Sequence, residues 1–381
     1  MSSTKLSIGI VGLPNVGKST LFNALTKKGV PAENYPFCTI DPSVGIVPVP
    51  DERLDLLSKF SNSAKTIPTV VEFVDIAGLV AGASKGEGLG NKFLAHIRET
   101  DAILQIVRIF SAKGGPASGG EDIVHIYGEI DPLRDIKIIN LELILADFET
   151  VQKRLQNLGK DIKKGDKKAI KESECLNKIN KALEAGLFAR MVPLDEEEMA
   201  LVKQLNLLTT KPILYGLNKK AGGKNLDESS SEEDKNRFAE VVRYIVQDLS
   251  SQYVIIDAKI EDELKDFEGA EKENFRKELG GQDDGVNSLI VSSYSLLGLI
   301  TYFTTGEDET RGWTIKKGAT APEAGMAIHN DFKDKFIRAE VIFWKDLLDV
   351  GSYGKAREKG LVRTEGKEYV VKDGDVIEFK I

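Results

Sequence analysis

The chain has 381 residues, of which 41% are hydrophobic and 29% charged, a composition that suits about two or three globular domains. Its net charge of −8 excludes a surface that is basic throughout, although a local basic patch is compatible with it. Only Cys38 and Cys175 are present, which excludes a disulfide framework and a four-cysteine zinc site. No apolar run reaches the roughly 18 residues of a membrane span, and the N-terminus leads straight into a strand. We therefore expect a cytoplasmic protein with no membrane partner.

The first predicted elements are a buried strand at residues 8–11, a glycine loop and a helix. The loop from Gly12 fits the pattern G-x-x-x-x-G-K-[ST]. Gly12 and Gly17 let the backbone bring its N–H groups close to phosphate oxygens, and the helix that follows presents its N-terminal dipole. We expect Lys18 to reach the β- and γ-phosphates and the Ser19 hydroxyl to ligate Mg²⁺. The stretch predicts a site for a nucleoside triphosphate with Mg²⁺.

Two later stretches have the features of phosphate-sensing elements. Thr39 lies in a polar loop before a predicted strand, where its hydroxyl can complete the Mg²⁺ shell and sense the γ-phosphate. The strand 69–74 leads to Asp75, which would hold Mg²⁺ through water, and the N–H of Gly78 can face the γ-phosphate. Many GTPases place a Gln next, to orient the attacking water, but this chain has Leu79. Hydrolysis must therefore use another group, or its intrinsic rate must be low.

Residues 131–208 change to long helices with apolar positions three to four apart, and a strand returns at 211–217. The helical segment is thus predicted to be an insertion between two strands of one sheet. Residues 148–190 carry 11 basic and 6 acidic side chains, a net charge of +5. Two interpretations stay open: a solvated antiparallel helical hairpin, or an arm whose basic tip at 160–171 contacts RNA phosphates.

A base-binding element is predicted where the strand 211–217 ends. The Asn218 amide would fix the loop and the base edge, and the Lys219 stem would cover the base face. Guanine selection normally uses an Asp two residues after that Lys, but Ala221 occupies this position and cannot accept a hydrogen bond through its side chain. A second loop, Asp257-Ala258-Lys259, resembles the Ser-Ala-Lys loop that packs under a purine.

The remaining sequence divides at about residue 300. Residues 222–290 hold 18 acidic and 9 basic side chains, which argues against RNA contact on that face. An apolar helix over 289–300 is predicted to close the nucleotide domain. The final segment has short runs typical of strands around a helix near 322–330, which predicts a small mixed α/β module. These runs are 312–315, 336–343, 368–371 and 376–381.

Several motifs resemble those of the Obg-like ATPase, or YchF, family of P-loop NTPases over nearly the whole chain. They are GLPNVGKST, NYPFCTID, EFVDIAGLV, GASKGEGLGNKFLAHIRETDAI, TYFTTGEDETRGWTIKKGATAPEAG and DFKDKFIRAEVI. The resemblance implies an α/β fold with a parallel-rich P-loop NTPase domain at 1–130 and 209–300. It further implies an inserted antiparallel helical, or coiled-coil, arm at 131–208 and a C-terminal β-grasp (TGS-like) domain at 301–381. It also implies hydrolysis of ATP, often of GTP too, and association with ribosomes; we expect a monomer.

By position, the resemblance also implies particular site residues. The residues implied to contact the phosphates are Asn15, Val16, Gly17, Lys18, Ser19 and Thr20. Those implied to bind Mg²⁺ are Ser19 and Thr39. In related proteins an Asn at the position of Asn15 can help to bind K⁺. The family replaces the water-orienting Gln by a hydrophobic residue, as Leu79 does, and His125 lies where a substitute catalyst is proposed. The alternative for His125 is a structural or merely exposed side chain.

The base end of the site departs from the family pattern Asn-x-x-Glu, because Ala221 replaces the Glu. Adenine needs no acidic acceptor, and backbone groups near Leu217 and Lys219 could read its N6 amino group, with Ala258 beneath the purine. We therefore favour ATP over GTP, with equal use of both left open. If the 218–221 loop reads the base, Ala221→Asp should shift the preference toward GTP.

These observations predict a slow Mg²⁺-dependent ATPase whose nucleotide cycle is coupled to the ribosome or its RNA. One alternative is a GTP-preferring or dual-specificity GTPase associated with translation. Another is a nucleotide-regulated binding module in which hydrolysis is incidental. A P-loop metabolic kinase lacks support, because no Arg-rich lid is visible in the sequence.

Overall fold

A computed structural model describes residues 6–26, 43–76, 89–111, 130–267, 269–279 and 285–381. Within these ranges no helix has both the length and the apolar character that a bilayer span requires. The described chain forms two six-stranded sheets, a small two-stranded sheet and a helical arm.

The first part of the chain alternates short strands and helices, as a P-loop NTPase domain requires. In chain order its elements are β1 (Ser7–Val11), α1 (Lys18–Thr26), β2 (Val44–Pro48), α2 (Glu52–Ser61), β3 (Lys65–Ile67), β4 (Val70–Asp75), α3 (Leu89–Glu99), β5 (Ala102–Arg108) and β6 (Phe110–Ser111). The apolar residues of β1 and β5 are almost completely buried, which accounts for their continuous hydrophobic runs.

The predicted helical insertion is present as a hairpin of two long helices and a shorter third helix. These are α4 (Pro132–Lys163), α5 (Lys167–Glu184) and α6 (Glu196–Val202). Asp131 caps α4, and Pro132 occupies its first turn, where the missing N–H costs nothing. Arg154 of α4 and Glu172 of α5 form a two-pronged ion pair at 2.6 and 2.9 Å that holds the hairpin together.

After the arm, the chain returns to the first sheet. The elements here are β7 (Ile213–Asn218), β8 (Lys224–Asn225), α7 (Glu232–Arg243), β9 (Gln252–Ile256), α8 (Ala258–Glu263), α9 (Gly269–Glu278) and α10 (Gly285–Leu296). The helix predicted over 289–300 was placed too far along the chain. It ends at Leu296, because Gly298 turns with a φ of +67° and a strand begins at Leu299.

The C-terminal part is the predicted mixed α/β module. Its elements are β10 (Leu299–Thr305), β11 (Glu309–Lys316), α11 (Ala321–Gly325), α12 (Asp331–Asp334), β12 (Arg338–Phe343), α13 (Trp344–Val350), α14 (Tyr353–Glu358), β13 (Arg363–Glu365) and β14 (Asp375–Lys380). The strand predicted at 368–371 is wrong. Only one isolated bridge forms there, between Thr320 and Val370, since this stretch folds back over the start of α11.

The first sheet has the strand order β2-β4-β1-β5-β7-β9. All neighbouring strands run parallel except β2, which is antiparallel to β4. The carboxyl ends of β1, β4, β5, β7 and β9 consequently meet at one edge of the sheet. Ligands of open α/β sheets bind at this edge.

The second sheet has the order β13-β12-β14-β10-β11-β3. Its last strand, β3, comes from between β2 and β4 of the first sheet and pairs in parallel with β11. Leu54 and Leu57 of α2 pack in the same buried cluster as Phe303 and Ile342 of the C-terminal module. The segment 51–67 therefore joins the two sheets, which the sequence analysis did not foresee. The domain limits 1–130 with 209–300, 131–208 and 301–381 stay a prediction.

Candidate functional site

The glycine loop follows β1 at the ligand-binding edge of the first sheet. Asn15 and Gly17 have positive φ angles of 64° and 99°. A Cβ on Gly12 would lie 2.7 Å from the carbonyl oxygen of Ile106, and a Cβ on Gly17 would collide with Nδ2 of Asn218. Any side chain at these two glycines would thus displace neighbouring strands or the base-binding loop. The loop ends at Lys18, the first residue of α1.

Lys18 lies over the glycine loop and is nearly buried. Its Nζ donates hydrogen bonds to the carbonyl oxygens of Gly12 and Leu13, both at 2.9 Å. Burial lowers the pKa of this ammonium group to about 8, and the nearby Asp75 carboxylate opposes that shift. Both acceptors are neutral carbonyls, so a phosphate would offer the same ammonium group a stronger, charged partner.

Asp75 is the last residue of β4 and lies beside β1, in register with Ile10. Its N–H donates to the Ser43 carbonyl at 2.8 Å. Burial raises the pKa of its carboxyl group, and the Lys18 charge lowers it. Ser19, in the first turn of α1, is exposed, and Thr20 follows it, half-buried.

The oxygen donors at this end of the site suit Mg²⁺. This ion takes hard oxygen ligands, and it is usually held by one or two protein groups together with nucleotide phosphates. Asp75 and Ser19 supply a carboxylate and a hydroxyl at the same sheet edge as Lys18. Within the described ranges no group of three or more His, Cys, Asp or Glu side chains could hold a metal by itself. The donor set thus fits an ion that is bound together with a triphosphate.

Asn218 joins the two ends of the site. Its Nδ2 donates to the Val16 carbonyl at 2.8 Å, and its Oδ1 accepts the N–H of Ala258 at 3.0 Å. Val16 and Ala258 are each 1% exposed, so both partners are buried with the amide. The structure therefore brings the phosphate loop, the end of β7 and the loop after β9 together, as the sequence predicted.

Lys219 continues the predicted base-binding loop. Its N–H donates to the carbonyl of Ile256, and its Nζ pairs with Glu228 at 2.7 Å. The Glu228 carboxyl accepts hydrogen bonds from Lys219 and Asn225, and these bonds lower its pKa. Leu217 lies in β7 with its side chain fully buried, so only its backbone could face a base.

Two residues at this edge were given no role on the basis of the sequence alone. Asp257 accepts the N–H of Ala221 at 2.6 Å, and its signal was an Asp where the Ser-Ala-Lys loop has Ser. Arg108 ends β5 almost fully buried, with Nε donating to the Phe110 carbonyl at 3.1 Å. Burial lowers the pKa of this guanidinium, and the charge of Asp135 raises it. Arg108 could have been identified from the sequence, because it is a charged residue at the end of a largely apolar strand.

Four of the residues that the sequence relates to Mg²⁺ binding or hydrolysis lie outside the described residues. They are Thr39, Gly78, Leu79 and His125. Their predicted roles in Mg²⁺ binding and hydrolysis stay predictions.

Comparison with family models matches both ends of the chain. Residues 7–141 match a family described as a 50S ribosome-binding GTPase. Residues 299–381 match the C-terminal family of the YchF GTPases, which is described as a protein of unknown function.

Individual relatives match the chain over almost its whole length. The Ribosome-binding ATPase YchF of Bacillus subtilis (strain 168) is 53% identical, with 98% of this chain and 99% of the relative aligned. The protein of the same name from Escherichia coli O157:H7 is 46% identical over 97% of this chain and 98% of the relative. The solved structure of the Schizosaccharomyces pombe YchF GTPase superposes with a TM-score of 0.82 at 36% identity, covering 99% of this chain and 98% of that one. Because sequence and fold agree along nearly the entire chain, we conclude that it belongs to the YchF family.

Proposed function

We propose that this protein is a Mg²⁺-dependent ATPase that acts as a nucleotide switch coupled to the ribosome. The observation that carries the proposal is a pair of hydrogen bonds: Asn218 donates to the Val16 carbonyl and accepts the N–H of Ala258. These bonds join the glycine loop to the ends of β7 and β9, which supports one continuous site with a phosphate end and a base end. The relatives named Ribosome-binding ATPase support the same reading, since they align over almost the whole chain.

The phosphate end would work through the backbone of residues 15–20 and through Lys18. To reach the β- and γ-phosphates, Lys18 leaves the carbonyls of Gly12 and Leu13, exchanging two neutral acceptors for charged ones. Ser19, Thr39 and Asp75 would hold Mg²⁺, which neutralises charge on the β- and γ-phosphates when it is bound. An Asn at position 15 leaves a role for K⁺ open to test.

Slow hydrolysis follows from the residues at the γ-phosphate end. Leu79 has no polar atom in its side chain with which to orient a water molecule, so the protein would depend on Gly78 as an N–H donor and on His125 as the catalytic group. Preorganised donors alone stabilise the transition state without activating the water. We therefore expect a slow intrinsic rate that the ribosome accelerates.

ATP is the nucleotide that the site favours, because Ala221 cannot accept the N1 and N2 protons of guanine through its side chain. The relatives are named as an ATPase in one case and as a GTPase in another. A GTP-preferring or dual-specificity enzyme is thus the alternative for nucleotide choice. Paired titrations with the two nucleotides separate these possibilities.

The ribosome or its RNA is the proposed partner, and this implies a place in the cytoplasm. The arm supports it: Lys163, Lys167 and Lys168 at its tip are exposed. A lysine cluster of this kind suits the phosphates of RNA, which bind cationic side chains largely without regard to base sequence.

Single-turnover hydrolysis of ATP and of GTP, with and without ribosomes, tests the proposal. We expect slow ATP hydrolysis that ribosomes accelerate. Fast turnover that ribosomes leave unchanged would contradict it. Leu79 also favours a second function, a nucleotide-regulated binding module in which hydrolysis is incidental. In that case His125→Ala would slow hydrolysis while ribosome binding and release continued unchanged.

A further inference from the structure

Asp257 is not part of the base-binding loop (residues 218–221) but accepts a hydrogen bond from it. Its Oδ2 accepts the N–H of Ala221 at 2.6 Å. Its Oδ1 accepts the N–H groups of Lys259 at 3.1 Å and Ile260 at 3.0 Å, as the cap of α8. A carboxylate has about four acceptor positions, so three of those on Asp257 are committed to the protein backbone.

Compared with a guanine-selective site, the acidic residue stands at position 257 instead of position 221. Ala221 occupies the position at which guanine-selective loops carry an acid, and Asp257 occupies the position of the Ser in a Ser-Ala-Lys loop. The acid absent from one loop is thus present in the other, and the 2.6 Å hydrogen bond joins the two positions. We propose that Asp257 is the positioning residue that fixes the base-binding loop through Ala221 and thereby discriminates against guanine. This inference rests on the proposed function, because it concerns the same nucleotide site.

Three consecutive backbone N–H groups of the base-binding loop, those of residues 219–221, each donate to a neighbouring element. The N–H of Lys219 donates to the Ile256 carbonyl at 2.8 Å, and that of Lys220 donates to Oδ1 of Asn225 at 3.0 Å. Asp257 holds the third, from Ala221. The loop is thereby ordered before a base arrives, and a preorganised loop binds more tightly because less freedom is lost on binding.

The number of unoccupied hydrogen-bond acceptor positions at residues 221 and 257 accounts for the proposed discrimination against guanine. Guanine presents its N1–H and its N2 amino group side by side, and both oxygens of one carboxylate are needed to accept them. Ala221 offers no side-chain acceptor, and Asp257 has about one acceptor position left. One guanine donor would therefore stay without an acceptor in a desolvated site, which costs affinity. Adenine presents a single donor group on that edge, its N6 amino group, beside the N1 acceptor.

A charge-exchange series tests the proposal: wild type, Ala221→Asp, Asp257→Ser, and both changes together, each titrated with ATP and GTP in the presence of Mg²⁺. Ala221→Asp alone should weaken ATP binding by about tenfold, because two carboxylates within about 6 Å repel each other. It should weaken GTP binding less, because the new carboxylate can accept hydrogen bonds from guanine. Asp257→Ser alone should weaken ATP binding by a similar factor, because one charge-assisted hydrogen bond is lost, and GTP binding by less, because the loop is no longer fixed in the form that disfavours guanine. Ser is a good helix cap, so α8 should persist.

The double variant should recover affinity and prefer GTP by about tenfold or more, because the Asp now stands at 221 and a Ser at 257 can donate to it. The decisive quantity is the ratio of GTP to ATP affinity. If Asp257 only stabilised the fold, the double variant would not reverse this ratio. Asp257→Asn provides a second single variant, since it keeps the volume and the cap but presents either a single oxygen or a donor toward Ala221.

Asp195→Ser is the matched control, because Asp195 caps α6 in the arm by accepting the N–H of Glu198 at 2.7 Å. It should leave both nucleotide affinities unchanged. The proposal is overturned if the effects of the two single changes simply add, if Asp257→Ser leaves the ratio of GTP to ATP affinity unchanged, or if Ala221→Asp alone shifts that ratio as far as the double variant does. A wild-type protein that binds neither nucleotide would instead contradict the proposed function, so the two failures are distinguishable.

Discussion

The Nδ2 atom of Asn218 donates to the carbonyl oxygen of Val16 at 2.8 Å, joining two residues 202 positions apart in the chain. This bond ties the base-binding loop to the phosphate loop. The same side chain accepts the N–H of Ala258, so its amide is satisfied on both sides by protein.

Replacing Asn218 by Ala should therefore weaken ATP and GTP equally. The change leaves the Val16 carbonyl and the Ala258 N–H without partners, and losses of about ten- to a hundredfold are expected for two buried hydrogen bonds. Isothermal titration with both nucleotides measures the effect. Asn177→Ala, on the exposed face of α5, should change neither affinity. A loss confined to one nucleotide would show that Asn218 reads the base directly.

The pH dependence of nucleotide binding should report Lys18. Burial lowers the pKa of its ammonium group to about 8 in the free protein, and a bound triphosphate adds negative charge that raises it again. Below about pH 7 Lys18 is charged in both states, and binding takes up no proton. As the pH rises through 8, the free protein loses the proton and must regain it on binding, so affinity falls by up to about tenfold per pH unit.

Calorimetry in buffers of different ionisation enthalpy measures this uptake directly. It should increase toward one proton per nucleotide between about pH 7 and pH 9. Lys18→Arg is the control, because its guanidinium stays charged throughout this range and should show no such uptake. Proton release in the wild type would contradict the expectation.

The junction between the two sheets should be sensitive to Leu57. This side chain is fully buried in the cluster that α2 shares with the C-terminal module. Leu57→Ala should reduce the free energy of unfolding by about 2–5 kcal/mol, the range for a large buried apolar residue. Its neighbour Leu56 is 43% exposed, and Leu56→Ala should cost less than about 0.5 kcal/mol. Denaturant unfolding compares the two, and equal losses would mean that the junction does not contribute.

The tip of the arm should contribute to ribosome binding through its lysines. Changing Lys163, Lys167 and Lys168 together to Glu should weaken ribosome binding and flatten its salt dependence, while ATP affinity stays unchanged. Co-sedimentation over a range of salt concentrations measures both quantities. The C-terminal module has three exposed lysines: Lys345, Lys355 and Lys359. Changing these three to Glu is the control, because it alters the net charge by the same amount away from the arm. An equal loss from that triple variant would point to overall charge rather than to the arm.

The phosphate end of the site could be predicted because its information is local. Strand, glycine loop and helix follow one another without interruption from Ser7 to Thr26, and the glycines meet backbone constraints that the motif itself implies. Asn218 and Ala258 could be placed at the same edge because both follow strands of the same parallel sheet.

Contacts between distant loops could not be predicted in the same way. The hydrogen bond between Ala221 and Asp257 joins residues 36 positions apart, and neither residue carries a motif that requires the other. The strand β3 has three residues and too little alternation to reveal a pattern, and its partner strand β11 lies far along the chain. The run 368–371 has the apolar character of a strand, but its Val371 N–H donates to the Ala319 carbonyl instead of to a sheet.

Equilibrium titration of the wild-type protein with ATP and with GTP, in the presence of Mg²⁺, gives the ratio of the two affinities. We expect both nucleotides to bind through the same phosphate loop and ATP to bind more tightly, because no side-chain acceptor at Ala221 matches guanine. Tighter binding of GTP, or binding of neither nucleotide, would contradict the proposed ATPase.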